Sequence, residues 1–126
     1  MGTKKSQDIS SQMLKGILQG CLLILINQKP YYGYEISQGL SQYGFENVPK
    51  GTIYPLLISM EKKELIFSNM QPSKEGPKRK YYYITDNGKQ ALESFISQWN
   101  HLSLNVNKLI NERGKKYENW TTNRAK

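Results

Sequence analysis

The sequence predicts a mainly α-helical chain with one small β-hairpin, and three observations carry that prediction. The first is the stretch 50–60, where Ile53, Leu56, Leu57 and Met60 recur at i, i+3, i+4 and i+7 and make one apolar helical face. The second is a pair of alternating runs, 65–70 and 79–84, around a basic tip. The third is a regular apolar seam between Leu92 and Leu109, of the kind that packs one long helix on another. A helix to insert and a cationic hairpin beside it are the working parts of a winged helix-turn-helix, here followed by a long C-terminal dimerisation helix.

Composition narrows the chemistry. At 126 residues the chain makes one domain with a modest core, which a second copy would help to stabilise. Its formal charge of +8 favours polyanions, nucleic acid or an acidic membrane surface. The single Cys21 rules out an internal disulfide and suits the cytoplasm. With one histidine, His101, and that one cysteine there is no ligand set for a metal, and no cofactor is expected. An enzyme is not expected either: the carboxylates are scattered and Cys21 sits on an apolar stripe. The most apolar run, 17–26, is interrupted by Gln19 and falls far short of the ~18 residues of a membrane span. Residues 27–30 make a poor cleavage site for a signal peptide.

Residues 1–10 are polar and expected to fray, with Lys4 and Lys5 either solvated or against a phosphate backbone. A helix begins at Ser11 with the stripe Met13, Leu14, Ile17, Leu18, Cys21, Leu22 and Leu25, and Leu23, Ile24 and Ile26 add apolar surface elsewhere. Being apolar nearly all round, it is buried on more than one side. One side faces its own domain; the other, through Leu18, Leu22 and Leu25, is expected to face a second chain. Residues 27–30 break this helix and Tyr31-Tyr-Gly-Tyr34 opens the next, which turns Ile36 and Leu40 inward. Tyr34 has two readings, packing or a phenol set against a phosphate, whereas Tyr32 reads as packing. Ser37 and Gln38 stand where a helix meets the DNA backbone.

After a turn over 42–50 comes the recognition helix, with Gly51 and Thr52 as N-cap candidates and Pro55 bounding its start. Lys50, Gly51, Thr52, Tyr54, Pro55 and Ser59 are its candidate DNA contacts, and Thr52, Tyr54 and Ser59 are placed for bases. Lys62 and Lys63 near its end read equally as solvated charges that suit the helix dipole. In the hairpin, with its turn over 71–77, Lys74, Lys78, Arg79 and Lys80 outnumber Glu75, and Pro72 and Pro77 discourage pairing with other strands. Lys78 and Arg79 are the leading phosphate or minor-groove contacts, joined by Lys80. Alternation turns only part of the Tyr81, Tyr82, Tyr83 run inward.

Thr85 caps the last helix and Asp86 suits its positive end. Leu92, Phe95, Trp99, Leu102, Val106 and Leu109 follow at spacings of 3, 4, 3, 4 and 3. Ending at Arg113 before Gly114, the helix measures roughly 40 Å. A domain this small cannot cover such a rod, so the helix is expected to dimerise against helix one of a partner. A two-fold dimer then matches a palindromic operator on double-stranded DNA. The expected organisation is 1–10 as a flexible start, 11–84 as the DNA-binding domain, 85–113 as the dimerisation helix and 114–126 as a flexible basic tail, with Trp120 unassigned.

Tyr32-Gly-Tyr-Glu-Ile36, Gly51-Thr-Ile-Tyr-Pro-Leu-Leu57, Gly76-Pro-Lys-Arg-Lys-Tyr81 and Thr85-Asp-Asn-Gly88, with the long helix after them, resemble the PadR family of bacterial transcriptional regulators. The resemblance spans residues 13–112 and rests on the order and spacing of the motifs together. It implies a homodimeric DNA-binding repressor of the short-tailed kind, often relieved by a small molecule. Ile58 and Ser59 stand where many of the family carry basic residues, so fewer base contacts and more shape and phosphate contacts are expected. Trp99 is either an interface anchor or, as the resemblance permits, the aromatic wall of a pocket for a flat effector at the dimer centre. The alternative to a DNA-binding regulator is a winged helix used as a protein-interaction module.

Overall fold

The computed structural model describes residues 9–74 and 76–125. The expectations for Lys4, Lys5 and Glu75 lie outside them, as do the side chains beyond Gly114. The elements run α1 (Ser11–Gln28), β1 (Tyr31–Tyr32), α2 (Gly33–Ser41), α3 (Lys50–Lys62), β2 (Ile66–Ser73), β3 (Gly76–Ile84) and α4 (Asp86–Ala125). The chain divides into two compact units, Met1–Glu93 and Ser94–Lys126, and α4 contributes to both.

In the first unit the helical faces meet where their periodicity places them. Leu22 of α1, Ile36 of α2, Ile53, Leu57 and Met60 of α3 and Ile66 of β2 are all buried to within 1%. Leu18 and Leu25 join them at 1% and 3% exposure, and Leu92, at the start of α4, is 5% exposed. This corrects the assignment of Leu18, Leu22, Leu25 and Leu92 to a dimer interface. Their side chains are spent on the core of one protomer and leave no face for another. An all-round apolar helix hides which side is which. Met13 stays exposed and Ile17, Cys21 and Ile24 half-buried, so the open side of α1 lies along these four.

The hairpin is larger than its alternation suggests. β2 and β3 pair antiparallel from Ile66↔Ile84 to Ser73↔Gly76, so the strands take in most of the turn expected over 71–77. A third strand joins them: Tyr31 pairs with Tyr82 and Tyr32 with Tyr81, giving the order β1-β3-β2. Tyr31 and Tyr32, read as the opening of helix two, are therefore a strand, and the helix starts two residues later, at Gly33. β2 is the longer of the two outer strands, and its register with β3 slips at Pro72, between Gln71 and Ser73. A proline has no amide for the ladder, so a slip there costs little.

Helix ends follow local chemistry. Ser10 caps α1, accepting the Met13 N–H at 3.3 Å. α3 begins at Lys50 after Pro49, with no side-chain cap, so Gly51 and Thr52 are not N-cap residues. The Thr52 and Ile53 amides instead reach the Pro49 carbonyl at 2.9 and 3.2 Å. Pro55 does not bound the start either but lies inside the helix, where its missing N–H removes the regular i+4 bond to the Gly51 carbonyl. α3 closes in a Schellman motif: Leu65 N–H bonds Met60 O at 3.0 Å and Glu64 N–H bonds Glu61 O at 2.9 Å. Glu64 takes the left-handed position, φ 59°. The Thr85 hydroxyl donates to Glu64 O at 2.7 Å and accepts Gly88 N–H at 2.9 Å, so it caps α4 and ties that helix to the end of α3. Gly88 packs against the Leu65 carbonyl so closely that no Cβ fits there.

α4 passes through Gly114 and ends at Ala125. The backbone of the basic segment up to Ala125 is therefore helical. One glycine opposes a helix by only about 1 kcal/mol, and no proline follows it. In the second unit Trp99, Leu102, Val106 and Leu109 are exposed, and Leu109 is 74% exposed.

Candidate nucleic-acid interface

Alternation along β3 sends Tyr82 and Ile84 towards the core, with Lys80 two residues further out on the same face. Lys80 meets Glu61 of α3 at 3.8 Å, and Glu61 also accepts the Ser68 hydroxyl of β2 at 2.8 Å. The wing is thereby latched to the recognition helix. The Lys80–Glu61 pair is partly exposed and contributes at most about 1 kcal/mol. Arg79 lies on the opposite face, its guanidinium 4.4 Å from the centre of the Tyr32 ring, and Tyr32 in turn meets Tyr81 edge-on at 5.5 Å. Parity thus separates the two leading wing cations: Lys78 shares the Lys80 side of the strand and Arg79 does not.

At the start of α2, Glu35 accepts the Tyr32 N–H at 3.2 Å and closes the first turn. The Tyr54 ring of α3 lies on Gly33, where an added Cβ would come within 3.0 Å of its Cε1. Tyr34 is exposed, with Lys50 Nζ 4.2 Å above its ring. Between these groups lies an open cleft of about 500 Å³, lined by Tyr32, Gly33, Tyr34, Gln38, Tyr54, Arg79, Lys80 and Tyr82. Two cations, several phenols and the amide end of a helix can hold a phosphate oxyanion by charge and hydrogen bonds. Burial raises the Tyr82 phenol above its ordinary value near 10, with Glu61 and then Tyr54 adding to the shift, so it remains a neutral donor.

The cleft unites Tyr34, Gln38, Tyr54, Arg79 and Lys80 from the sequence-derived candidates, and Lys50 joins them through Tyr34. Gly51, Pro55 and Lys78 are exposed outside it, while Ser37, Thr52 and Ser59 are half-buried. Tyr32, Gly33 and Tyr82 were missed as lining groups, because only the β1–β3 pairing brings the first two beside the wing. On α3 the outward row is Lys50, Tyr54, Ile58 and Lys62, with Gly51 and Pro55 beside it. A second, apolar cleft of about 180 Å³ runs along Cys21, Ile24, Gln28 and Phe45, and burial raises the Cys21 thiol above its ordinary value. Trp99 lines neither cleft. Among the described residues no group of three or more acidic, histidine or cysteine side chains is placed to hold a metal, and no helix is long and apolar enough to cross a membrane.

The model of the transcriptional regulator PadR-like family matches residues 22–94. The chain belongs to the PadR-like family. A PadR-like transcriptional regulator from Bacillus cereus of known structure is 51% identical, with a TM-score of 0.73 over 79% of this chain and 97% of that one. A Streptococcus transcriptional regulator is 44% identical, with a TM-score of 0.72 over 79% of this chain and 98% of that one. An uncharacterised protein of Lysinibacillus sphaericus is 37% identical over 93 residues, 72% of this chain and 85% of that protein. The PadR-like fold is a winged helix, with α2 and α3 as the helix pair and the β2–β3 hairpin as the wing. Its family is one of transcriptional regulators and not of enzymes.

Proposed function

We propose that the protein is a homodimeric, sequence-specific DNA-binding repressor, cytoplasmic and released from its operator by a small aromatic effector. One observation carries the DNA contact: the start of α2, the recognition helix α3 and strand β3 converge on a single cationic, tyrosine-lined cleft. In this reading a backbone phosphate occupies the cleft, Lys78 and Lys62 reach flanking phosphates, and α3 enters the major groove. Dimerisation is supported by the exposed seam Trp99, Leu102, Val106 and Leu109, and by the open stripe of Ile17, Cys21 and Ile24 on α1. Two-fold pairing through these surfaces suits a palindromic site. Trp99 stands free to serve either as an anchor or as the wall of an effector pocket shared by two copies.

The test is equilibrium binding to a duplex from upstream of the gene that encodes the chain, measured across a salt series. Binding is expected to weaken linearly on log axes, and Lys78→Ala should reduce the slope by about 0.9, one phosphate contact. An unchanged slope would remove Lys78 from the interface. One observation favours a second reading, a protein-interaction module: Tyr54, Ile58 and Met70 are apolar and exposed near the wing and recognition helix. Failure to retain any duplex at any salt would decide for that module.

A further inference from the structure

The outward row of α3 is unusual in its order. Lys50, Tyr54, Ile58 and Lys62 follow one another at intervals of four residues, a cation at each end and apolar groups between. Ile58 is 55% exposed. It does not serve the core, because Ile53, Leu57 and Met60 supply the buried face of this helix. Pro55 widens the apolar patch towards the helix start. The polar groups beside this row are less available than Ile58: Thr52 and Ser59 are half-buried, and Glu61 is held by Ser68 and Lys80.

The major groove offers hydrogen-bond acceptors at guanine, an acceptor and a donor at adenine, a donor at cytosine, and an apolar methyl group at thymine. Arginine, asparagine and glutamine are absent from α3, and its lysines Lys50 and Lys62, which can also reach guanine, stand at the two ends of the row, eight and four residues from Ile58. Of the four bases only thymine presents a feature that matches an exposed isoleucine. We propose that Ile58 is a specificity-determining residue that recognises the 5-methyl group of a thymine in each operator half-site, with the terminal lysines fixing the helix on the flanking phosphates. The inference rests on α3 entering the major groove, as in the function proposed above.

The experiment begins with a duplex selected by the wild-type protein from a randomised library, each thymine then being replaced singly by deoxyuridine. That exchange removes the methyl group and leaves base pairing intact. One position per half-site is expected to weaken binding about fourfold, the effect of losing one buried methyl-sized group. In Ile58→Ala that same exchange should have no effect, and Ile58→Arg should select guanine at that position. Because Ile58 is exposed, Ile58→Ala should melt with the wild type. A methyl penalty that persists in Ile58→Ala, or a selected duplex with no methyl-sensitive thymine, overturns the inference and leaves DNA binding standing. A wild-type protein that retains no duplex from the library overturns both.

Discussion

Glu64 holds the left-handed position that closes α3, at φ 59°. A side chain with a Cβ resists that conformation by roughly 1 kcal/mol, and glycine does not. Glu64→Gly should therefore raise stability by about 0.5–1 kcal/mol, visible as a higher urea midpoint with an unchanged slope; a lower midpoint would show that the carboxylate has a role there. Tyr82 gives a pH test. Its folded value is raised, first by burial and then by Glu61 and Tyr54, so the native state resists ionising this phenol. The resulting stability is complete below about pH 10 and is lost as pH rises through the raised value. Tyr82→Phe removes that loss, so its urea midpoint should fall less between pH 9 and pH 11 than that of the wild type. At this scale the sequence was partly legible. Thr85 as a cap followed from its neighbours alone. The pairing of Arg79 with Tyr32 did not, because it depends on two strands remote in sequence.

Among the elements, α3 was legible from periodicity on its buried side. The spacing of Ile53, Leu57 and Met60 is the spacing of a helical face, and all three are buried. Its ends were less legible, since a proline inside a helix looks from sequence like a boundary. β1 was hidden because two residues carry no period at all. The contact between α2 and α3 through Gly33 and Tyr54 gives a test at this level. Gly33→Ala should push the exposed Tyr54 ring off the helix start while leaving the core untouched. DNA affinity is expected to fall about tenfold, the loss of one hydrogen bond to a charged group, with little change in melting temperature. Equal affinity would place Tyr54 outside the interface. α4 shows the converse limit: the helix was legible from its 3–4 spacing, but a mild glycine penalty could not announce whether it stops at Gly114 or continues to Ala125.

For the whole molecule, exposure separates two groups of leucines that the sequence could not. Leu102 is 56% exposed, whereas Leu22 is fully buried. Leu102→Asp should leave each protomer folded but reduce the sedimenting species to one chain of 14.6 kDa, if the seam joins two copies. Leu22→Ala should instead cost about 2–5 kcal/mol of folding stability. A Leu102→Asp protein that still sediments as a pair would move the interface elsewhere. The outer strand β2 bears on association of another kind. Among the described residues nothing pairs with its far rim, and Pro72 sits where its register slips. Give that position a valine and the strand gains an amide donor and a residue that favours extended backbone. Neighbouring copies are then expected to zip rim to rim, and a clear solution to turn cloudy.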